Sequence, residues 1–134
     1  MKPSIYNPRL VLLVLRIGIS FAFFYAAIAS ILHPTEWTAF LPSYMTTIIP
    51  ATTLLLILSI YQIILAIWLI IGWKILYAAV LSALTILGII AANLSAFDIT
   101  FRDVTIFFAA AALPLIAAVP VKAKCALVDL ASPD

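Results

Sequence analysis

The chain has 134 residues, of which 67% are hydrophobic and 9% charged, with a net charge of +2 and a mean hydropathy of +1.31. A water-soluble domain averages about 45–50% apolar and ~25% charged residues, so this composition excludes that class. The small, scattered positive charge excludes a nucleic-acid surface. A membrane protein of one domain, covering residues 1–134, is the class that remains.

Four long apolar runs follow one another, at about 10–32, 49–71, 75–93 and 104–121. Each approaches the ~20 residues a helix needs to cross a hydrocarbon layer of about 30 Å. Backbone polar groups in lipid must be satisfied internally, so the runs are expected to be helices. The expected fold is an all-α membrane protein. Its four transmembrane helices form an antiparallel up-down bundle, with a short interfacial segment in the first outer loop.

The first run follows Lys2 and Arg9 and contains the small-residue triplet Ala27-Ile28-Ala29, features shared with a secretory signal. Arg16 interrupts its apolar core and its length suffices to span, so it is read as a retained helix. Gly18, Ala22, Ala26 and Ser30 recur every four residues and predict a close-packing face, with Phe21, Phe24 and Ile28 turned to lipid. Arg16 sits about six residues inside this span, where a charge must snorkel, pair with a carbonyl or Gln62, or meet a ligand. No acidic residue falls in the inner half of any span, and none lies within a span to couple protons.

The loop from His33 to about Thr47 is the longest. Pro34 suits a first helical turn, with His33 or Thr35 as a cap, and Pro42 stops the segment. Trp37, Phe40 and Leu41 would dip into lipid. His33 with Glu36 is too small a ligand set for a metal, and none is expected.

The second run carries Thr52, Leu55, Ser59, Gln62, Ala66 and Leu69 as one stripe. Gln62, near the midplane, fits an interhelical hydrogen bond or a contact to a polar ligand head such as a quinone carbonyl. Tyr61 beside it is expected to point away from that seam. The Gly72-Trp73-Lys74 turn is short enough to make the second and third spans neighbours. The third run repeats the stripe with Ala78, Ser82, Thr85, Ile89 and Ala92, and the fourth with Thr105, Ala109, Ala112 and Ile116. Pro114 predicts a kink. Arg102 and Asp103 are expected to open the fourth helix, Asp103 as its cap and Arg102 paired with Asp98, Glu36 or lipid phosphate.

Five of the seven Lys and Arg residues fall in the N-terminal tail, the Lys74 turn and the C-terminal tail, where Lys122 and Lys124 lie. Short basic loops stay cytoplasmic, so the chain is expected in the cell (plasma or inner) membrane with both termini inside. Trp37, Phe40, Tyr44, Phe97 and Phe101 would make an outer aromatic belt, and Tyr6, Trp73 and Tyr77 an inner one. The single thiol, Cys125, can form neither an internal disulfide nor a CxxC pair. A phosphate loop, a catalytic triad and a haem-attachment motif are all missing, so no catalytic residue and no resident cofactor is expected.

Three segments together suggest a family: LRIGISFAFFYAAIASILHP from Leu15 to Pro34, YQIILAIWLIIGWK from Tyr61 to Lys74, and FRDVTIFFAAAAL from Phe101 to Leu113. In that order the chain resembles the DoxX-like family of small four-helix membrane proteins, over nearly its whole length. Arg16 and Gly18 look like the family's Arg and Gly in the first helix. Gly72 looks like the Gly closing the second, and Arg102-Asp103 like the pair opening the fourth. Where the family often has Gly and Lys near the end of the first helix, this chain has Ala27 and Ser30. Where the family often has Glu in the second, it has Gln62. The resemblance implies a non-catalytic membrane subunit or anchor of a redox or oxidative-stress complex, with a redox partner subunit. A quinone-linked oxidoreductase subunit using Arg16 and Gln62, and a small-solute transporter assembled as a homo-oligomer, are the alternatives.

Overall fold

The computed structural model describes residues 7–94 and 97–118, together with 126, 129 and 130. Lys2, Tyr6, Lys122, Lys124 and Cys125, the end of the fourth run, and the side chains of Phe97 and Asp98 lie outside the description. The described residues are helical, with no strand among them, and four helices are long and apolar enough to cross a membrane.

Helix α1 runs Pro8–Leu32. Asn7 caps it, its side chain accepting from the Arg9 N–H at 3.1 Å, and Pro8 supplies the fixed φ suited to a first turn. Two short helices follow, α2 Pro34–Thr38 and α3 Ser43–Thr46, with Pro42 extended between them as the residue preceding α3. Helix α4 spans Ala51–Ile71, starting after Pro50 rather than at Ile49. Gly72 ends it in the left-handed region at φ +77°, its N–H returning to the Trp68 carbonyl at 3.0 Å. Helix α5 covers Ile75–Ala92 and α6 covers Phe97–Ala118.

The start of α6 differs most from the sequence reading. It begins at Phe97, six residues before Asp103, because Asp98 and Thr100 belong to its first turns. Asp103 therefore lies inside the helix and does not cap it. The uncharged apolar run starts only at Val104, whereas a helix propagates through polar residues at no great cost.

Helix α1 packs most extensively on α4, and α5 on α6. Helix α1 also contacts α6; α4 and α5 meet more sparsely, and the short α2 and α3 rest on α4, α2 on α1 as well. The core gathers Ile19 and Phe23 from α1, Leu65, Ala66 and Leu69 from α4, Ala78, Ala79 and Ile86 from α5, and Ala110 and Leu113 from α6. The predicted stripes of α4 and α5 fall inward at Leu55, Ser59, Ala66, Leu69, Ala78 and Ser82. Those of α1 and α6 are rotated. Ile19, Phe23 and Ala27 are buried, and of the predicted row Ser30 is buried too, while Gly18 is exposed and Ala22 and Ala26 only half-covered. Phe24 packs against the core instead of facing outward. In α6 Ala110 and Leu113 are buried and Thr105 is exposed. Small residues mark where a backbone could approach closely, but Phe23 and Leu113 fill the space between the helices, and packing sets which face turns inward.

Buried hydroxyls tie the helices through backbone carbonyls. Ser20 donates from α1 to the Ala66 carbonyl of α4 at 3.2 Å, and the Ser30 and Ser59 hydroxyls meet at 2.7 Å. Large apolar side chains meanwhile stand exposed on every long helix, among them Phe21 at 70%, Leu84 at 58% and Phe108 at 67%.

Candidate functional site

The sparse contact between α4 and α5 has a structural consequence. The two helices meet at a tight turn, where the Trp68 indole N–H donates to the Trp73 carbonyl at 2.7 Å and the Lys74 ammonium lies 5.7 Å from the Trp73 ring centroid. Away from the turn a cavity of about 340 Å³ opens between them. The end of α1 contributes Ser30 to its wall, and the α2–α3 segment covers it with Trp37, Phe40, Tyr44 and Met45. Trp37 and Phe40 sit edge to face, with centroids 5.9 Å apart.

Tyr61 and Gln62 on α4, Thr85 on α5 and Asn93 at the C-cap of α5 are polar and line this cavity. The Tyr61 hydroxyl lies 2.7 Å from the Thr85 hydroxyl, which reaches back to the Leu81 carbonyl at 2.7 Å. Each hydroxyl has one proton, so Tyr61 donates to Thr85 and Thr85 to the backbone. Asn93 spends its Nδ2 on the Ile89 carbonyl at 2.9 Å. Gln62 makes no hydrogen bond to any described residue. Gln62 is half-buried, its amide is not sealed in, and it lines the cavity.

A second, smaller chamber of about 50 Å³ lies between α1, α4, α5 and α6, and Gln62 and Ile89 line both spaces. Asp103 also faces the smaller chamber, alongside Phe23 and Ile106. An acidic residue inside a helix long and apolar enough to span overturns the expectation that no span carries one. Arg102 Nε lies 3.7 Å from Asp103 Oδ1. Arg102 therefore pairs with its chain neighbour and not with Glu36, which is exposed in the first turn of α2. With Arg102 58% exposed, this pair adds little stability.

Arg16 is elsewhere. Its Nε donates to the Leu69 carbonyl at 2.8 Å and its Nη2 to the Ile70 carbonyl. The guanidinium thus caps the C-terminal end of α4, where unpaired carbonyls and the negative end of the helix dipole meet. A Cβ on Gly72 would collide with it. Leu69 lies seven residues beyond Gln62, roughly 10 Å along the helix, so Arg16 and Gln62 do not share a site. Ser59 is buried and bonded to Ser30 and to the Leu55 carbonyl at 2.7 Å, which makes it part of the helix fastening.

Tyr61 was expected to point away from the site but lines it with Gln62. Neighbours on a helix diverge by about 100°, yet the gap between α4 and α5 is wide enough to receive both. Gly88 on α5 also lines the cavity, and a Cβ there would meet nothing within 4 Å. Gly88 carried no sequence signal. Among the described residues no group of three or more His, Cys, Asp or Glu is placed to hold a metal. Comparison with family models, with curated proteins and with solved structures gives no match to this chain.

Proposed function

We propose that the chain is an integral membrane protein whose four long helices cross the bilayer up and down, each antiparallel to the next. In this reading α2 and α3 lie at the outer interface, and both termini and the Gly72-Trp73-Lys74 turn lie on the cytoplasmic side of the cell membrane. One observation carries it: the apolar perimeter exposed on all four helices surrounds a core fastened by serine hydroxyls. That arrangement is costly in water and favourable in lipid. Alkaline carbonate extraction and thiol labelling test it. In a Cys125→Ser background, single cysteines replacing Asn7 and Lys74 should label only after the membrane is opened, and one replacing Ser43 should label in intact cells. Release by carbonate, or labelling of Lys74 and Ser43 positions from one side, would overturn it.

Within the membrane the chain acts as a non-catalytic subunit or anchor of a redox or oxidative-stress complex, the role its resemblance to DoxX-like proteins implies. The contact between Arg16 and Gly72 supports that reading, since two residues that carry the resemblance depend on each other physically. Extraction in mild detergent followed by native mass spectrometry should recover a redox partner protein. Recovery of a bare protomer or homo-oligomer would count against it. The placement of Asp103 favours a second reading, small-solute transport, because it supplies an acidic group inside the bundle. Uptake by reconstituted vesicles that is lost in Asp103→Asn would select that reading.

A further inference from the structure

We propose that the cavity between α4 and α5 is a binding site for one neutral, ring-bearing amphiphile with a hydroxyl group, which sets that group against Gln62. The chemistry of the ligand follows from the wall. Among the described residues the cavity is lined by no Asp, Glu, Lys or Arg, and an ion placed there would lose hydration with no opposite charge from them to replace it. Its volume of about 340 Å³ falls in the ~300–1,000 Å³ range of small-molecule sites. Trp37, Phe40, Tyr44 and Tyr61 offer ring faces and edges, to which a flat ring packs better than a flexible chain does. Gly88 leaves one side of the wall bare, so a ring can lie close to the α5 backbone.

Polar recognition falls to Gln62. The Tyr61 and Thr85 protons and one of the two Asn93 amide protons are already engaged within the fold. Gln62, near the middle of α4, brings to the cavity an amide whose donor and acceptor make no hydrogen bond to any described residue. A hydroxyl answers both, donating to Oε1 and accepting from Nε2. An acyl chain would leave the amide unanswered. Entry from the lipid through the loosely packed α4–α5 seam rests on the membrane reading, but binding itself does not and can be measured in detergent.

The test is equilibrium dialysis of naphthol, a neutral two-ring alcohol, against the full chain in detergent micelles, with protein-free micelles subtracted. Saturable binding of one naphthol per chain is expected. Gly88→Leu fills the bare wall and should weaken binding by about tenfold or more, whereas Gly88→Ala should retain it. Gln62→Leu keeps the shape but removes the amide and should weaken binding by about five- to tenfold. Thermal unfolding of each variant at or above the wild-type temperature shows that the fold persists. Three results would overturn the proposal: no saturable binding above micelle partitioning, binding unaffected by Gln62→Leu and Gly88→Leu, or displacement of naphthol by a diacyl phospholipid regardless of residue 62. Failure of the membrane reading would show separately, as release by carbonate.

Discussion

At the scale of single residues, the arginine in the first span has a job that does not need a ligand. A guanidinium presents a planar fork of N–H donors, and the end of α4 presents carbonyls that no later helical residue can satisfy. Gly72 makes the meeting possible twice over. Its φ of +77° turns the chain, and its missing Cβ leaves room for the guanidinium. Gly72→Ala should therefore cost about 1–3 kcal/mol through backbone strain and collision together. Arg16→Ala should cost about 1–2 kcal/mol, the charged hydrogen bonds being partly exposed. Because the collision disappears once Arg16 is gone, the double variant should lose less than the sum, as equilibrium unfolding in detergent would measure. Fully additive losses would mean that the two residues act independently.

At the scale of helices, the rotation of α1 separates two readings of its small residues. The Gly18, Ala22, Ala26, Ser30 row predicts that a leucine at 18 disrupts packing. In the structure a Cβ at 18 would meet nothing within 4 Å, whereas Ala27 is fully buried. Gly18→Ala should stabilise the chain by roughly 0.5–1 kcal/mol through reduced backbone entropy. Ala27→Leu should destabilise it by about 1–3 kcal/mol by overpacking. Thermal unfolding of the two variants side by side decides which face of α1 meets α4. The reverse order would restore the small-residue row as the contact.

At the scale of the whole molecule, the exposed apolar perimeter makes a prediction that any one of its residues can test. Leu84 is 58% exposed near the middle of α5. On a surface facing water, Leu84→Arg would change stability by no more than about 0.5 kcal/mol. At the centre of a bilayer the same change costs about 2.5–3.5 kcal/mol on insertion scales. Membrane-inserted protein recovered after expression should fall accordingly. Unchanged recovery would place that face of α5 against water or another protein.

Sequence alone determined the long elements. Hydrophobic runs of membrane length are read directly from composition, and α4 and α5 showed their inward stripes because serine and alanine there alternate with large outward-facing residues. The start of α6 was not legible, since polar residues at a helix end are compatible with either a loop or a first turn. The inward faces of α1 and α6 were not legible either, because most positions are apolar on every side and the choice depends on how neighbouring helices fill space. Only the tertiary structure decided that Arg16 closes α4, that Asp103 lies inside the bundle, and that Tyr61, Gln62 and Gly88 share one cavity. Each of these depends on residues far apart in sequence, and on two helices that join at a tight turn but pack their faces mainly on other helices.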